Sequence, residues 1–253
     1  MQLKVQKTNV ILWTNPKTSS TQYCRPVRMQ YVKENHQIVK AEYDFFMSTE
    51  LRTTTIDLFQ VKHKLECTMI DGKVSTLLSP LTDSYQVCNI CGLNPKKRND
   101  FVIAYNKQPN QMSLDLGIHT LHLWIRCFEC LLHIGQRRRP GYNDCGFFHA
   151  NTPEKKNIVA SRKKEIQEKI KDTLGLVVDV PRSGGSGTSN DGNTARRAFR
   201  SHETFAEILG IDKGLVKRFF IILCVLSCKH PIDPDKLELY CKETFKTYVA
   251  HFK

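Results

Sequence analysis

Hydrophobic and polar residues alternate with a period of two in the first third of the chain. Residues 25–32 (RPVRMQYV) and 59–70 (FQVKHKLECTMI) follow this alternation, and residues 5–13 end in an apolar run that an Asn-Pro pair stops. A period of two is typical of a half-buried β-strand. The pattern therefore predicts strands joined by turns up to about residue 80, whereas residues 38–51 fit either a helix or a strand.

From about residue 113 the apolar positions recur every three or four residues, which is the period of an amphipathic helix. The spacing predicts five helices, over residues 113–134, 154–174, 194–211, 213–228 and 234–252. The last of them begins at Asp233-Pro234, a pair suited to an N-cap followed by the first helical turn. The second half of the chain is therefore predicted to be mainly helical.

The chain has 253 residues, 40% of them hydrophobic, with 38 Lys and Arg against 25 Asp and Glu and a net charge of +13. This composition is typical of a globular protein of one or two domains. Residues 136–200 hold 14 Lys and Arg against 7 Asp and Glu, and so carry +7 of the charge. The charge favours an anionic partner, with nucleic acid the commonest and an acidic membrane surface or protein the alternatives.

Two further features limit the compartment and the class of protein. The longest strongly apolar run, residues 219–228, is about half of the ~20 residues that span a bilayer, so we expect no integral membrane protein. The first ten residues lack the apolar segment of a secretory signal, which predicts a reducing compartment. The ten cysteines are then expected to be buried thiols or metal ligands rather than disulfides.

Cys88 and Cys91 form the strongest metal-ligand motif, a C-x-x-C pair followed by glycine (CNICG). A structural zinc ion needs four ligands, and two thiolates on one tight turn supply half of them. A redox C-x-x-C is the alternative, but that motif opens a helix within a βαβ unit. The second pair, Cys127 and Cys130, lies inside a predicted apolar helix, where cysteine behaves as a small hydrophobic residue.

The Gly-rich segment, residues 181–193, is the one low-complexity part of the chain and fits a flexible loop or a phosphate cradle. Its end resembles a P-loop, but Asn193 stands where the phosphate-binding lysine is required, which disfavours nucleotide binding. The helix start that follows, with Arg196 and Arg197, predicts a contact to a nucleic-acid backbone. A solvated helix face is the alternative for the same residues.

Asp71 follows an apolar stretch and precedes a glycine, a position from which a carboxylate can hold a divalent metal ion. Asp-Gly is also the commonest turn dipeptide, so the motif alone is weak. Two-metal phosphoryl transfer requires at least one more carboxylate beside it. Asp71 is therefore a candidate catalytic residue that needs a partner acid.

An ordered set of motifs resembles the catalytic core of the V(D)J recombinase subunit and of the Transib-type DDE transposases. The set runs TMIDGK, the first C-x-x-C pair, LHLWIRCFECLLHIG and GNTARRAFRSHETFAEILGI. Upstream, NVILWTNPKTSSTQYCRPVRMQYV is similar to the core strand and hairpin that precede the family's second catalytic aspartate. The resemblance covers most of residues 9–253.

The resemblance implies a role for each candidate residue. Asp71 matches the second acid of the DDE triad, which helps to hold two divalent ions, Mg²⁺ or Mn²⁺. Cys88 and Cys91 match the cysteines that begin a zinc-binding, mainly helical insertion, and Arg196 and Arg197 match a basic pair along the DNA path. The resemblance also implies DNA as partner, a homodimer and a nuclear location, with no membrane.

The resemblance also implies that the catalytic set is incomplete. The family's first acid lies on a strand that would precede Met1, and its zinc-binding histidines and final glutamate come after the helix that ends at Phe252. We therefore expect a DNA-binding fragment or domesticated remnant of such a transposase, inactive alone. The alternative is a non-enzymatic, zinc-stabilised module that binds nucleic acid or protein.

The predicted fold class is α/β. A partial, strand-rich RNase H-like core is expected over residues 1–80. A zinc-knuckle and helical insertion, containing the Gly-rich loop 181–193, is expected over residues 81–253.

Overall fold

A computed structural model describes most of the chain as two compact units, Met1–His119 and Thr120–Lys253. The described residues are 2–3, 31–33, 35–48, 54–61, 65–66, 70–81, 84, 86–98, 100–117, 119–138, 152–184, 187–228 and 230–252. Helix accounts for most of them. Each unit has its own apolar core.

The described part of the first unit combines short helices with two strand pairs. Its helices are α1 (His36–Met47), α2 (Gly72–Leu78), α3 (Phe101–Tyr105) and α4 (Gln111–Asp115). Its strands are β1 (Gln2–Leu3), β2 (Thr54–Ile56), β3 (Phe59–Val61) and β4 (Leu65–Glu66). β1 pairs with β4 and β2 with β3, both antiparallel. Asp57, at φ +53°, makes the turn between β2 and β3.

The predicted strand-rich RNase H-like core over residues 1–80, and with it the α/β class, is wrong. The described part of that region contains two helices, α1 and α2, and strands of only two or three residues. Asn35 caps α1 by accepting a hydrogen bond from the Ile38 amide at 2.9 Å, and the Asp71 side chain likewise caps α2. Such local side-chain caps favour helix. For residues 38–51 the pattern had left helix and strand open, and α1 covers most of them. The strand predicted over residues 5–13 lies outside the described residues. The strand predicted over residues 25–32 also lies outside them, except for Tyr31 and Val32, which are not in a strand.

The second unit is helical throughout its described regular structure. Its helices are α5 (Thr120–Arg137), α6 (Pro153–Leu174), α7 (Gly192–Arg200), α8 (His202–Leu209), α9 (Lys213–Ser227) and α10 (Pro234–Phe252). The helices predicted over residues 154–174, 213–228 and 234–252 are thereby confirmed to within about a residue. Asp233 caps the last of them, because its carboxylate accepts the amides of Asp235 and Lys236.

Two predicted helices are divided in the structure. The helix expected over residues 113–134 breaks at Gly117, whose φ of +78° lies outside the helical region, so that α4 and α5 are separate. The helix expected over residues 194–211 breaks at Ser201, which ends α7 and begins α8. Phe128 and Leu132 of the first predicted helix are fully buried in α5, and Phe205 and Leu209 of the second are fully buried in α8.

α5 is central to the core of the second unit and contacts α6, α7, α8 and α9. Phe128 of α5 stacks on Phe205 of α8 with ring centroids 5.4 Å apart, and both rings are fully buried. Ile166 and Ile170 attach α6 to the same core. Among the described helices, none is both long enough and apolar enough to cross a lipid bilayer.

Candidate nucleic-acid interface

The structure places Cys88 and Cys91 on one tight turn, as the motif predicted. The Gly92 amide donates to the Cys88 carbonyl at 2.8 Å, and Gly92 adopts φ +66°. Partial burial raises the pKa of the Cys91 thiol, and the adjacent Cys88 side chain raises it further. Cys91 therefore keeps its proton at neutral pH unless a cation displaces it.

The donors around this turn do not complete a zinc site within the described residues. A tetrahedral site needs four ligands. Among the residues that the structure describes, no three His, Cys, Asp or Glu side chains come together in a way that could hold a metal ion. The two thiols thus supply half of a zinc site and no more, and the predicted zinc remains a prediction.

Asp71 is the N-cap of α2. Its carboxylate accepts the Lys73 amide at 2.8 Å, and the side chain is exposed. In the part of the chain that the structure describes, Asp71 belongs to no group of three His, Cys, Asp or Glu side chains that could hold a metal ion, so its role in holding Mg²⁺ or Mn²⁺ stays a prediction. Its predicted catalytic role has no support from this geometry.

The start of α7 is occupied by the chain itself. Asp191 is the N-cap, and its carboxylate accepts the Thr194 amide at 2.8 Å. Hydrogen bonds from the backbone of Thr194 and Asn193 lower the pKa of this carboxyl, with Thr194 the larger cause. The amides expected to receive a phosphate therefore already bind the Asp191 carboxylate.

Arg196 and Arg197 are neighbours in sequence but have different surroundings. The Arg196 guanidinium lies over the Trp124 ring, 5.6 Å from its centroid, and is half-buried. Arg197 is exposed and donates to the Leu174 carbonyl at 3.4 Å. Leu174 ends α6, so Arg197 lies beside the negative end of that helix dipole. The pair predicted as one DNA contact thus divides into a packed arginine and an accessible one.

Lysines follow one side of α6. Lys163 and Lys164 each lie seven or eight residues from Lys156 and from Lys171, a spacing of about two turns that brings all four to the same side of a helix. We call these four residues the basic row. At 1.5 Å per residue the row is about 22 Å long. Arg197 lies at its C-terminal end and extends it.

The acids of α6 do not neutralise the whole row. Glu165 pairs with Arg162 at 2.9 Å and with Lys169 at 2.7 Å, all outside the row. Lys164 reaches Glu168 only at 3.9 Å. Lys156 and Lys171 have no acidic partner within 4 Å among the described residues. The two ends of the row thus remain available to an outside anion.

A groove lies beside the C-terminal half of the row, next to Lys164 and Lys171. It has a volume of about 210 Å³ and lies between α6 and the segment that follows it. Its lining combines lysines, a glutamine, a glutamate and three valines: Lys164, Gln167, Glu168, Lys171, Val177, Val178 and Val180. Gln167 holds the segment in place by donating to the Val178 carbonyl at 2.8 Å.

Asp179 anchors this side of the unit, and sequence reasoning did not identify it. Its buried carboxylate accepts Gln136 Nε2 at 2.8 Å and Asn190 Nδ2 at 2.7 Å. His133 Nε2 lies 3.7 Å away, and Lys163 Nζ lies 3.4 Å away. The interaction with His133, then those with Gln136 and Asn190, and the charge of Lys163 hold the pKa of Asp179 well below its ordinary value against the opposing effect of burial. The hydrophobic period of the sequence does not point to Asp179, because the residues that surround its carboxylate are distant in sequence.

Neither the protein-family models nor the curated proteins contain a match to this chain. The resemblance to Transib-type transposases therefore stays a prediction from motifs. The geometry contributes a basic row on a helix anchored in a well-packed core, with one exposed arginine at its end.

Proposed function

We propose that this protein binds the phosphate backbone of DNA through the basic row and Arg197. The main observation behind this proposal is that Arg197 lies at the end of α6. This contact brings two basic segments that are distant in sequence into one surface. A surface of about 22 Å spans about six base-pair steps at 3.4 Å each. Ile166 and Ile170 are fully buried, so the helix presents its lysines from a rigid support.

Chemistry and motif resemblance both favour DNA as the polyanion. Lysine is a flexible point charge that binds phosphate without reading base sequence, so the row suits a backbone contact of low specificity. The resemblance to the Transib-type family points to DNA and to a nuclear location. A homodimer is a further expectation from the same resemblance.

The test is DNA affinity measured by fluorescence anisotropy over a salt series. Affinity should fall steeply with salt and depend little on sequence. Replacing Lys156 and Lys171 by Gln should weaken binding and lower the salt slope by about two, because each lysine neutralises one phosphate. Lys213→Gln with Lys236→Gln is the matched control, because both lysines are exposed and ion-paired at helix starts. Equal affinity for the two double variants would contradict the proposal.

A second candidate function is a zinc-stabilised interaction module, favoured by the two thiols that meet at Cys88 and Cys91. With half of the ligands, the purified chain should hold well under one zinc per molecule. One tightly held zinc that is released on Cys88→Ser, together with DNA binding that does not depend on the basic row, would favour the module. One zinc that is released on Cys127→Ser instead would show that other cysteines are the ligands.

A further inference from the structure

The first two turns of α6 project from the body of the second unit. Every residue from 152 to 158 is exposed, and Val159 is the first half-buried one. Even Ile158 is 46% exposed. A helix end with so few packing contacts opens locally at low cost in free energy. The start of α6 is therefore accessible to an enzyme that binds an extended segment.

Thr152 lies at this accessible start. It is the N-cap of α6, with extended backbone (φ −110°, ψ 154°). Its Oγ1 accepts the Lys155 amide at the long distance of 3.4 Å, and its hydroxyl interacts with the Glu154 carboxylate. Pro153 follows at once, and Lys155 is the third residue after Thr152. Both partners of the hydroxyl belong to the first turn, so opening that turn frees the hydroxyl from both.

The sequence around Thr152 has the chemistry that proline-directed protein kinases recognise. Proline lacks the backbone N–H, so a substrate pocket that offers no acceptor at that position selects it. A lysine three residues after the hydroxyl supplies a cation for an acidic contact on the enzyme. The chain has one other Ser/Thr-Pro pair, Ser79-Pro80, and it has threonine where the lysine would stand.

Ser79 also differs from Thr152 in structure. It is half-buried, and its hydroxyl donates to the Asn89 carbonyl at 2.8 Å. The same oxygen accepts the Leu81 amide at 3.2 Å. Ser79 is thus tied to a residue ten positions away, whereas Thr152, among the described residues, is tied to Glu154 and Lys155 of its own helical turn. Ser79 therefore serves as an internal control for phosphorylation of Thr152.

We propose that Thr152 is a phosphorylation site of a proline-directed protein kinase, and that its phosphate weakens binding at the N-terminal end of the basic row. The second part rests on the proposed DNA binding. In the transfer step, Thr152 Oγ1 attacks the γ-phosphorus of ATP and forms the new P–O bond. The bond from that phosphorus to the ADP oxygen breaks, ADP leaves, and the hydroxyl proton passes to a base of the kinase.

The expected effect follows from charge. A phosphothreonine carries about −1.5 to −2 at neutral pH, and at the N-cap it lies beside the positive end of the α6 dipole and next to Lys155 and Lys156. The helix start therefore stays folded, while the two lysines are less able to attract an outside phosphate. Because the phosphate on Thr152 offsets the charges of Lys155 and Lys156, DNA binding should weaken about tenfold at low salt, and the salt dependence of the affinity should become smaller.

The experiment treats the full chain with a cyclin-dependent kinase and ATP, and locates phosphate by peptide mass spectrometry. Thr152 should carry it and Ser79 should not. Thr152→Asn, which keeps an N-cap side chain but has no hydroxyl, should take up none, and Pro153→Ala should take up much less. Absence of phosphate at Thr152, or equal labelling of Ser79, would overturn the proposal that Thr152 is the phosphorylation site.

DNA anisotropy on the modified and unmodified chains tests the second part separately. Weaker binding of the phosphorylated chain supports it. Equal binding of both chains would overturn the regulation and leave the DNA proposal standing. Lack of DNA binding by the unmodified chain would overturn the DNA proposal and the regulation together, while labelling at Thr152 would still establish the site.

Discussion

Asp179 joins three parts of the Thr120–Lys253 unit through one carboxylate. Gln136 comes from α5, Lys163 from α6, and Asn190 from the segment before α7. The Asn190 side chain also accepts the Asp179 amide at 2.9 Å, so the two residues bind each other twice. Asp179 adopts φ +54°, a conformation that Asp and Asn tolerate better than most residues. The basic row is therefore positioned partly by a buried acid.

Replacing Asp179 by Ala should destabilise the protein by about 3 kcal/mol, because the buried Gln136 and Asn190 amides are left without their acceptor. Asp179→Asn should cost less, since it keeps the backbone preference and one acceptor oxygen. Urea denaturation measures both. Asp172→Ala, an exposed acid of α6, is the control and should change stability by less than about 0.5 kcal/mol. An equal effect at both positions would show that the buried hydrogen bonds contribute little.

The same carboxyl gives a pH dependence of known sign. Its pKa is lower in the folded protein than in the unfolded chain, so the ionised form favours folding. This contribution is fully present above the unfolded pKa of about 4 and is lost as the pH falls toward the folded pKa. The stability difference between wild type and Asp179→Asn should therefore narrow below about pH 4 in denaturation curves. A difference that is constant from about pH 7 to about pH 3 would contradict the depressed pKa.

Arg196 and Arg197 should separate in their effects. Arg196→Ala removes the guanidinium from the Trp124 ring and should reduce stability by about 1 kcal/mol. Arg197→Ala should weaken DNA binding at a smaller cost in stability, because the side chain is exposed at the end of the basic row. Thermal denaturation and anisotropy on both variants distinguish the two roles. If Arg196→Ala weakened DNA binding and Arg197→Ala did not, the two roles would be the reverse of those assigned.

At the scale of elements, the close approach of α5 and α8 depends on Gly135. A Cβ at this position would lie 2.9 Å from the Leu209 Cβ, nearer than packed carbon atoms come. Leu209 is fully buried, so it has little room to move. The two helices therefore pack with a glycine between them, and the rigidity of the support beneath α6 depends on this packing.

Gly135→Ala should destabilise the protein by about 1–3 kcal/mol through overpacking, despite the higher helix propensity of alanine. The control is Gly72→Ala in α2, where a Cβ would meet nothing within 4 Å. That change should be neutral or slightly stabilising. Chemical denaturation of both variants measures the contrast, and a neutral Gly135→Ala would show that α5 and α8 can move apart freely.

At the scale of the whole molecule, the two units have separate cores. The larger core, which includes Trp124 and Phe252, belongs entirely to Thr120–Lys253. The smaller one consists of Val39, Leu78 and Leu116 with a few half-buried neighbours, all in Met1–His119. A core of that larger size suffices to stabilise an independent helical domain. The basic row and Arg197 both belong to the unit with the larger core.

A chain limited to Thr120–Lys253 should therefore fold cooperatively and retain most of the DNA affinity. Circular dichroism during heating should show one sharp transition, because the apolar core is complete within this unit. Anisotropy on the same preparation measures binding. A shortened chain that folds but no longer binds DNA would place the interface, or part of it, in Met1–His119.

The sequence by itself determined the bounds of α6, α9 and α10 and the excess of positive charge in residues 136–200. Hydrophobic spacing and the Asp233 N-cap are short-range features that a single segment carries. The same short-range reasoning failed over residues 1–80. There, the alternation of polar and apolar residues suggested a sheet, but a sheet also requires strands that pair over long distances in sequence. The pattern does not include the Asn35 and Asp71 side-chain caps, which favour helix starts.

Only the tertiary structure decided which charged residues act together. Arg197 meets the end of α6 across 23 positions of sequence, and Gln136 meets Asp179 across 43. The packing of α5, α6 and α7 on shared buried residues sets these distances, and no local period encodes them. For the same reason Arg196 and Arg197, adjacent in sequence, differ in role: a step of about 100° around α7 turns one toward Trp124 and the other toward Leu174.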